Sequence, residues 1–111
     1  MIPSQMLKGT LEGCILKVIS YQETYGYEIS QALQEYGFQD ISEGTIYPLL
    51  LRLEKSGLVT TQYRTSSLGP KRKYFQISSE GEIALTSFFA NWKELENAVN
   101  QLFQNGGQKH E

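Results

Sequence analysis

The chain has 111 residues, 40% apolar and 20% charged, with a net charge of −2. That length makes one domain that buries roughly two thirds of its unfolded surface and leaves no room for a second, catalytic domain. The composition argues for neither disorder nor membrane insertion, the single cysteine rules out an internal disulfide, and no basic start leads into a long apolar run, so a cytoplasmic protein is expected.

Leu7, Leu11, Cys14, Ile15, Val18 and Ile19 recur every three or four residues, the spacing of one helix face, and predict a first helix over 7–19. Cys14 lies inside that stripe, where a free cysteine behaves as a small buried hydrophobe rather than a reactive thiol. Gln22 to Tyr25 break the pattern. Ile29, Ala32, Leu33 and Tyr36 then outline a second helix from about Gly26 to Tyr36, stopped by Gly37. Asp40 and Ile41 bridge to a third helix, which carries Leu49, Leu50 and Leu53, ends at Gly57 and has Ser42 or Thr45 as its cap. Pro48 separates those two choices. With the cap at Ser42, Gly44 loses its hydrogen-bond donor and a kink is predicted; with the cap at Thr45, the proline falls in the unbonded first turn.

Two helices joined by a short turn match a helix-turn-helix. Leu58 to Arg64 and Arg72 to Ile77 follow as two strands rich in strand-favouring residues, with Leu68, Gly69 and Pro70 as the turn. A hairpin directly after such a helix makes a winged helix. In the last segment Leu85, Phe88, Trp92, Leu95, Val99 and Leu102 alternate by three and four residues, the spacing of a coiled-coil seam. Three heptads span about 30 Å. A small domain cannot cover that seam together with Phe89 and Phe103, so a second copy of the chain is expected to do so. The fold class is therefore mainly α with a small β-hairpin wing: a winged helix-turn-helix domain over 1–78, a C-terminal dimerisation helix over 79–104 and a flexible polar tail over 105–111. The only histidine, His110, lies in that tail and is expected to be solvated.

Charge is unevenly placed. Residues 52–73 hold six of the ten basic side chains against one acid, Glu54, whereas residues 1–51 hold two lysines against six acids. A basic stripe on a hairpin beside a helix is suited to a polyanion backbone, and DNA binding is the leading expectation. No histidine or cysteine pair at ligand spacing, no nucleophile with a base and no glycine-rich phosphate loop is present, so neither an enzyme, a metal site nor a cofactor is expected. Ser42, Thr45 and Tyr47 offer hydroxyls to phosphates or base edges. Arg52 can reach a phosphate or a guanine, or can pair with Glu54 or another carboxylate on the surface. Lys71, Arg72 and Lys73 alternate in direction along a strand, so at most two share a face. With two subunits, roughly 4 to 8 phosphates would be neutralised and binding would fall steeply with salt. The competing expectation is a winged-helix protein-interaction module whose basic wing meets an acidic partner without specific DNA binding.

Several motifs occur together in order: Tyr25-Gly26-Tyr27-Glu28-Ile29, then Gly44-Thr45-Ile46-Tyr47-Pro48-Leu49-Leu50 with Arg52-Leu53-Glu54 and Gly57-Leu58-Val59, then Gly69-Pro70-Lys71-Arg72-Lys73-Tyr74-Phe75 leading to Ser78 and Gly81. In these the chain resembles the PadR-like transcriptional regulators over nearly its whole length, within the small subfamily that has one long C-terminal helix. Ile46 and Phe75 stand where that family often has leucine and tyrosine. The resemblance implies a dimeric repressor of its own or a neighbouring operon, binding a roughly palindromic operator. It puts Thr45 and Tyr47 on the recognition helix, Lys71, Arg72 and Lys73 on the wing, and Tyr27 at the start of the preceding helix, all as DNA contacts. It also implies that a small aromatic effector can stack on Trp92 between the subunits, with Phe88, Phe89 and Glu96 one turn away. Plain seam packing is the other role open to Trp92.

Overall fold

The computed structural model describes residues 1–66 and 68–105. A single turn, α1 (Ser4–Leu7), precedes α2 (Leu11–Tyr21). Gly9 separates them with φ +92°, a backbone only glycine adopts freely, and Thr10 Oγ1 donates to the Leu7 carbonyl at 2.9 Å. The expected helix over 7–19 is thus broken early and extends two residues later, with Leu11, Ile15 and Ile19 buried along the predicted stripe.

Thr24–Tyr25 form a short strand, β1, in the stretch that sequence spacing showed only as a gap. The helix α3 (Gly26–Glu35) follows, and Gly37 at φ +112° closes it: its amide donates to Gln34 and that of Phe38 to Leu33. Tyr36, expected on the apolar face, is 74% exposed, and Phe38 packs on the core beyond the glycine instead. Ser42 caps α4 (Glu43–Lys55), accepting from the Thr45 amide at 3.3 Å. Of the two caps the sequence left open, Ser42 is therefore the one used, and Pro48 lies inside a helix that continues past it to Lys55. Both Gly44 and Pro48 are exposed, so the carbonyl without a donor faces solvent. The buried residues of α4 are Ile46, Leu50 and Leu53.

After Gly57, at φ +78°, the chain forms the hairpin β2 (Val59–Ser66) and β3 (Gly69–Ile77). All strands are antiparallel in the order β1-β3-β2. The strands are longer than expected: Ser66 pairs with Gly69, so Gly69 and Pro70 belong to β3 rather than to the turn. The proline is tolerated because β1 pairs only with Tyr74 and Phe75, leaving one side of β3 open at Pro70.

The helix α5 (Ser79–Asn105) has 27 residues. Ser78 joins it to the wing's base, its Oγ donating to the Gly57 carbonyl at 2.7 Å and accepting from the Gly81 amide at 3.0 Å. The molecule measures 66 × 30 × 20 Å and its radius of gyration is 16.9 Å, against about 13 Å for a compact domain of this length. Only the base of α5 is held by the head: Leu85 packs on the core and the Phe88 ring lies against Gly13 of α2. Trp92, Leu95, Val99, Leu102 and Phe103 extend beyond it and are exposed. The tail and His110 fall outside the described residues, apart from Asn105, which ends α5. Among the described residues no helix is long and apolar enough to cross a membrane.

Candidate nucleic-acid interface

A groove of about 520 Å³ runs between the start of α3, the first turns of α4 and the wing. Its walls bring together four residues expected from the sequence: Tyr27, Tyr47, Arg72 and Lys73. They also include Tyr25 and Glu43, which sequence reasoning did not select. Glu43 was recoverable in principle, because it directly follows the cap Ser42; Tyr25 was hidden in the gap that proved to be β1. Tyr27 and Tyr47 are each about half exposed.

The remaining candidates lie elsewhere. Ser42 is occupied at the cap, with its Oγ also 3.2 Å from Thr45 Oγ1. Thr45 and Arg52 line a second, larger groove of about 890 Å³, between α4 and the amino-terminal segment. There Arg52 meets Glu12 of α2, with Nε at 2.6 Å and Nη2 at 2.5 Å from one carboxylate oxygen. Arg52 was expected to pair on the surface with Glu54 or another carboxylate; Glu12 is that carboxylate, and Glu54 accepts instead from Lys73 at 2.7 Å and from Thr61 at 2.9 Å.

Electrostatics divides the basic stripe further. Arg64 pairs with Glu23 at 2.5 Å and lies over the Tyr74 ring, while Arg72 lies 4.8 Å from the centre of the Tyr25 ring. The Tyr25 and Tyr74 rings pack at a tilt of 57° with centres 5.2 Å apart. Alternation along β3 puts Arg72 and Lys73 on opposite faces, as the strand period requires. Among the described residues, Lys55, Lys71 and Arg72 are the stripe cations without a carboxylate partner. A stacked guanidinium keeps its donors at the ring's edge, so Arg72 remains able to bind an anion.

On α5, Glu96 pairs with Lys93 at 3.1 Å, Phe88 is turned onto Gly13, and Phe89 and Trp92 are exposed. The four residues expected around an effector are thus divided between the head and the open side of the helix. Cys14 is half-buried in the head, and burial pushes its thiol pKa up, away from the reactive thiolate.

The profile of the transcriptional regulator PadR-like family matches residues 15–87, about two thirds of the chain. The chain belongs to that family. PadR-like relatives of known structure include a PadR-like transcriptional regulator from Bacillus cereus, 52% identical, with a TM-score of 0.81 over 90% of this chain and 97% of that one. A Streptococcus transcriptional regulator is 46% identical, with a TM-score of 0.79 over 90% of this chain and 98% of its own. A transcriptional regulator of Mycobacterium tuberculosis is 32% identical over 86% of this chain and 83% of its own. The PadR-like assignment makes this chain a winged-helix transcriptional regulator rather than an enzyme, with DNA as its partner.

Proposed function

We propose that the protein is a homodimeric repressor that binds a roughly palindromic operator, with α4 in the major groove and the hairpin on the flanking backbone. The observation that carries this reading is the convergence of Tyr27, Tyr47 and Arg72 on one groove beside the exposed start of α4, with Lys71 further out on the same hairpin. Tyr27, Ser42, Thr45 and Tyr47 offer hydroxyls for positioning and base-edge contacts, and Lys71 and Arg72 offer charge. Arg52 pairs with Glu12 through Nε and Nη2, and its 64% exposed side chain keeps Nη1 for a phosphate. With Lys71 and Arg72 from each of two subunits, log affinity should fall with log salt at a slope of about −3.6.

The exposed apolar stripe of α5 supports dimerisation, because Trp92, Leu95, Val99 and Leu102 repeat at seam spacing and are exposed. A flat aromatic effector stacked on Trp92 between the subunits would release DNA only by favouring a different spacing of the two heads. A footprint on the region upstream of the protein's own gene, at two salt concentrations and with a panel of planar aromatic compounds, tests the whole reading. The expected result is a two-fold symmetric, salt-sensitive footprint. Weak protection without symmetry at low salt only would instead favour a protein-interaction module.

A further inference from the structure

Glu54 sits at the end of α4, and its carboxylate takes one donor from each strand of the wing: Thr61 of β2 and Lys73 of β3. One acid thereby joins the end of the recognition helix to the whole hairpin. Lys73 shares a sheet face with Phe75 and Ile77, opposite Tyr63, Thr61 and Val59, and Phe75 and Val59 belong to the core. The Lys73 side chain is 17% exposed, against 64% for Arg52 and 49% for Arg64 in their own ion pairs. Arg72, one residue earlier, is on the opposite face. A lysine on the inward face, mostly covered and bound to a carboxylate that a second donor also holds, is part of the scaffold.

We propose that Lys73 is not a phosphate contact, and that Glu54, Thr61 and Lys73 form a strut that fixes the angle between α4 and the hairpin. Glu54 and Lys73 are then positioning residues: they set where Lys71 and Arg72 meet the backbone of DNA already engaged by α4. This role rests on the DNA-binding reading above.

The two possibilities predict opposite signs for one substitution. Removing an acid beside a phosphate strengthens binding, whereas removing the fixed end of a strut weakens it. Wild type, Lys71→Met, Lys73→Met, Glu54→Gln, the double Glu54→Gln/Lys73→Met and the exchange Glu54→Lys/Lys73→Glu would be titrated, across a salt series, with a duplex from upstream of the protein's own gene. Lys71→Met should flatten the salt slope by about 1.8, for two copies in a dimer. Lys73→Met and Glu54→Gln should each weaken binding roughly two- to fivefold with the slope unchanged, and the double should be no weaker than either single. The exchange variant, which rebuilds the pair in reverse, should bind like wild type. A slope loss in Lys73→Met matching that of Lys71→Met, or tighter binding by Glu54→Gln, would overturn the strut while leaving DNA binding intact. A wild type without a specific complex would overturn the repressor reading and this role with it. Melting curves guard against a folding defect, and Lys73→Arg, which retains the cation, should bind like wild type.

Discussion

The carboxyl of Glu54 is held below the ordinary glutamate value of 4.5, first by the hydrogen bond from Lys73 and then by that from Thr61. Because the folded-state value is depressed, its contribution to stability is fully present above the ordinary value and is lost as pH falls through the lower one. The Lys73 ammonium is raised above 10.5, chiefly by the bond to Glu54, so its contribution is present below 10.5 and is lost only as pH rises through the raised value. The tie is therefore constant across neutral pH and fails first in acid. Urea titrations from neutral to acidic pH should show a shallower acid decline for Glu54→Gln than for wild type. Packing imposes a stricter limit at Gly81, where a Cβ would run into the Leu58 carbonyl and the Ile77 side chain. Gly81→Ala must push backbone apart, and a loss of about 1–3 kcal/mol in chemical denaturation is expected. Gly13 faces the ring of Phe88 rather than backbone, so Gly13→Ala displaces a side chain and changes how α5 leaves the head.

At the level of elements, α4 combines a cap that fixes its start with a proline that weakens its middle. Ser42 accepts from the Thr45 amide, and Pro48 leaves the Gly44 carbonyl without its helical donor. Pro48→Ala restores that donor on an exposed face, so equilibrium unfolding should show a gain of about 1–3 kcal/mol. Ser42→Ala acts in the other direction, by about 1 kcal/mol. The wing owes its length to pairing rather than to its turn: the ladder from Val59↔Ile77 to Arg64↔Arg72 continues through an irregularity to Ser66↔Gly69. The same alternation that buries Phe75 turns Lys73 inward and Arg72 outward. The polarity of the wing is thus a consequence of its register.

For the whole molecule, the dominant fact is a 27-residue helix of which only the base rests on the head. Burial of Trp92, Leu95, Val99 and Leu102 requires another surface, and seam spacing matches a second copy of the same helix. Light scattering should give twice the 12.6 kDa of one chain for wild type. Leu95→Glu, which puts a charge at the middle of the stripe, should return the mass to one chain without unfolding the head. The same variant should weaken operator binding sharply, because two heads held at a fixed separation bind as one ligand.

The sequence by itself determined the helix faces, the hairpin, the long terminal helix and the family, because hydrophobic spacing, glycine stops and ordered motifs are local properties of the chain. The family resemblance put Tyr27, Tyr47 and Arg72 on three separate elements, and the fold brings them to one groove. The tertiary structure decided what local spacing cannot express. It revealed β1, two residues whose pairing partner is some fifty positions away, and chose Ser42 over Thr45 as the cap. It also sorted the basic stripe, since Glu12, Glu23 and Glu54 neutralise Arg52, Arg64 and Lys73 from 40, 41 and 19 residues away. Charge along a chain is a sum, whereas charge at a surface depends on which side chains the fold brings within reach of one another.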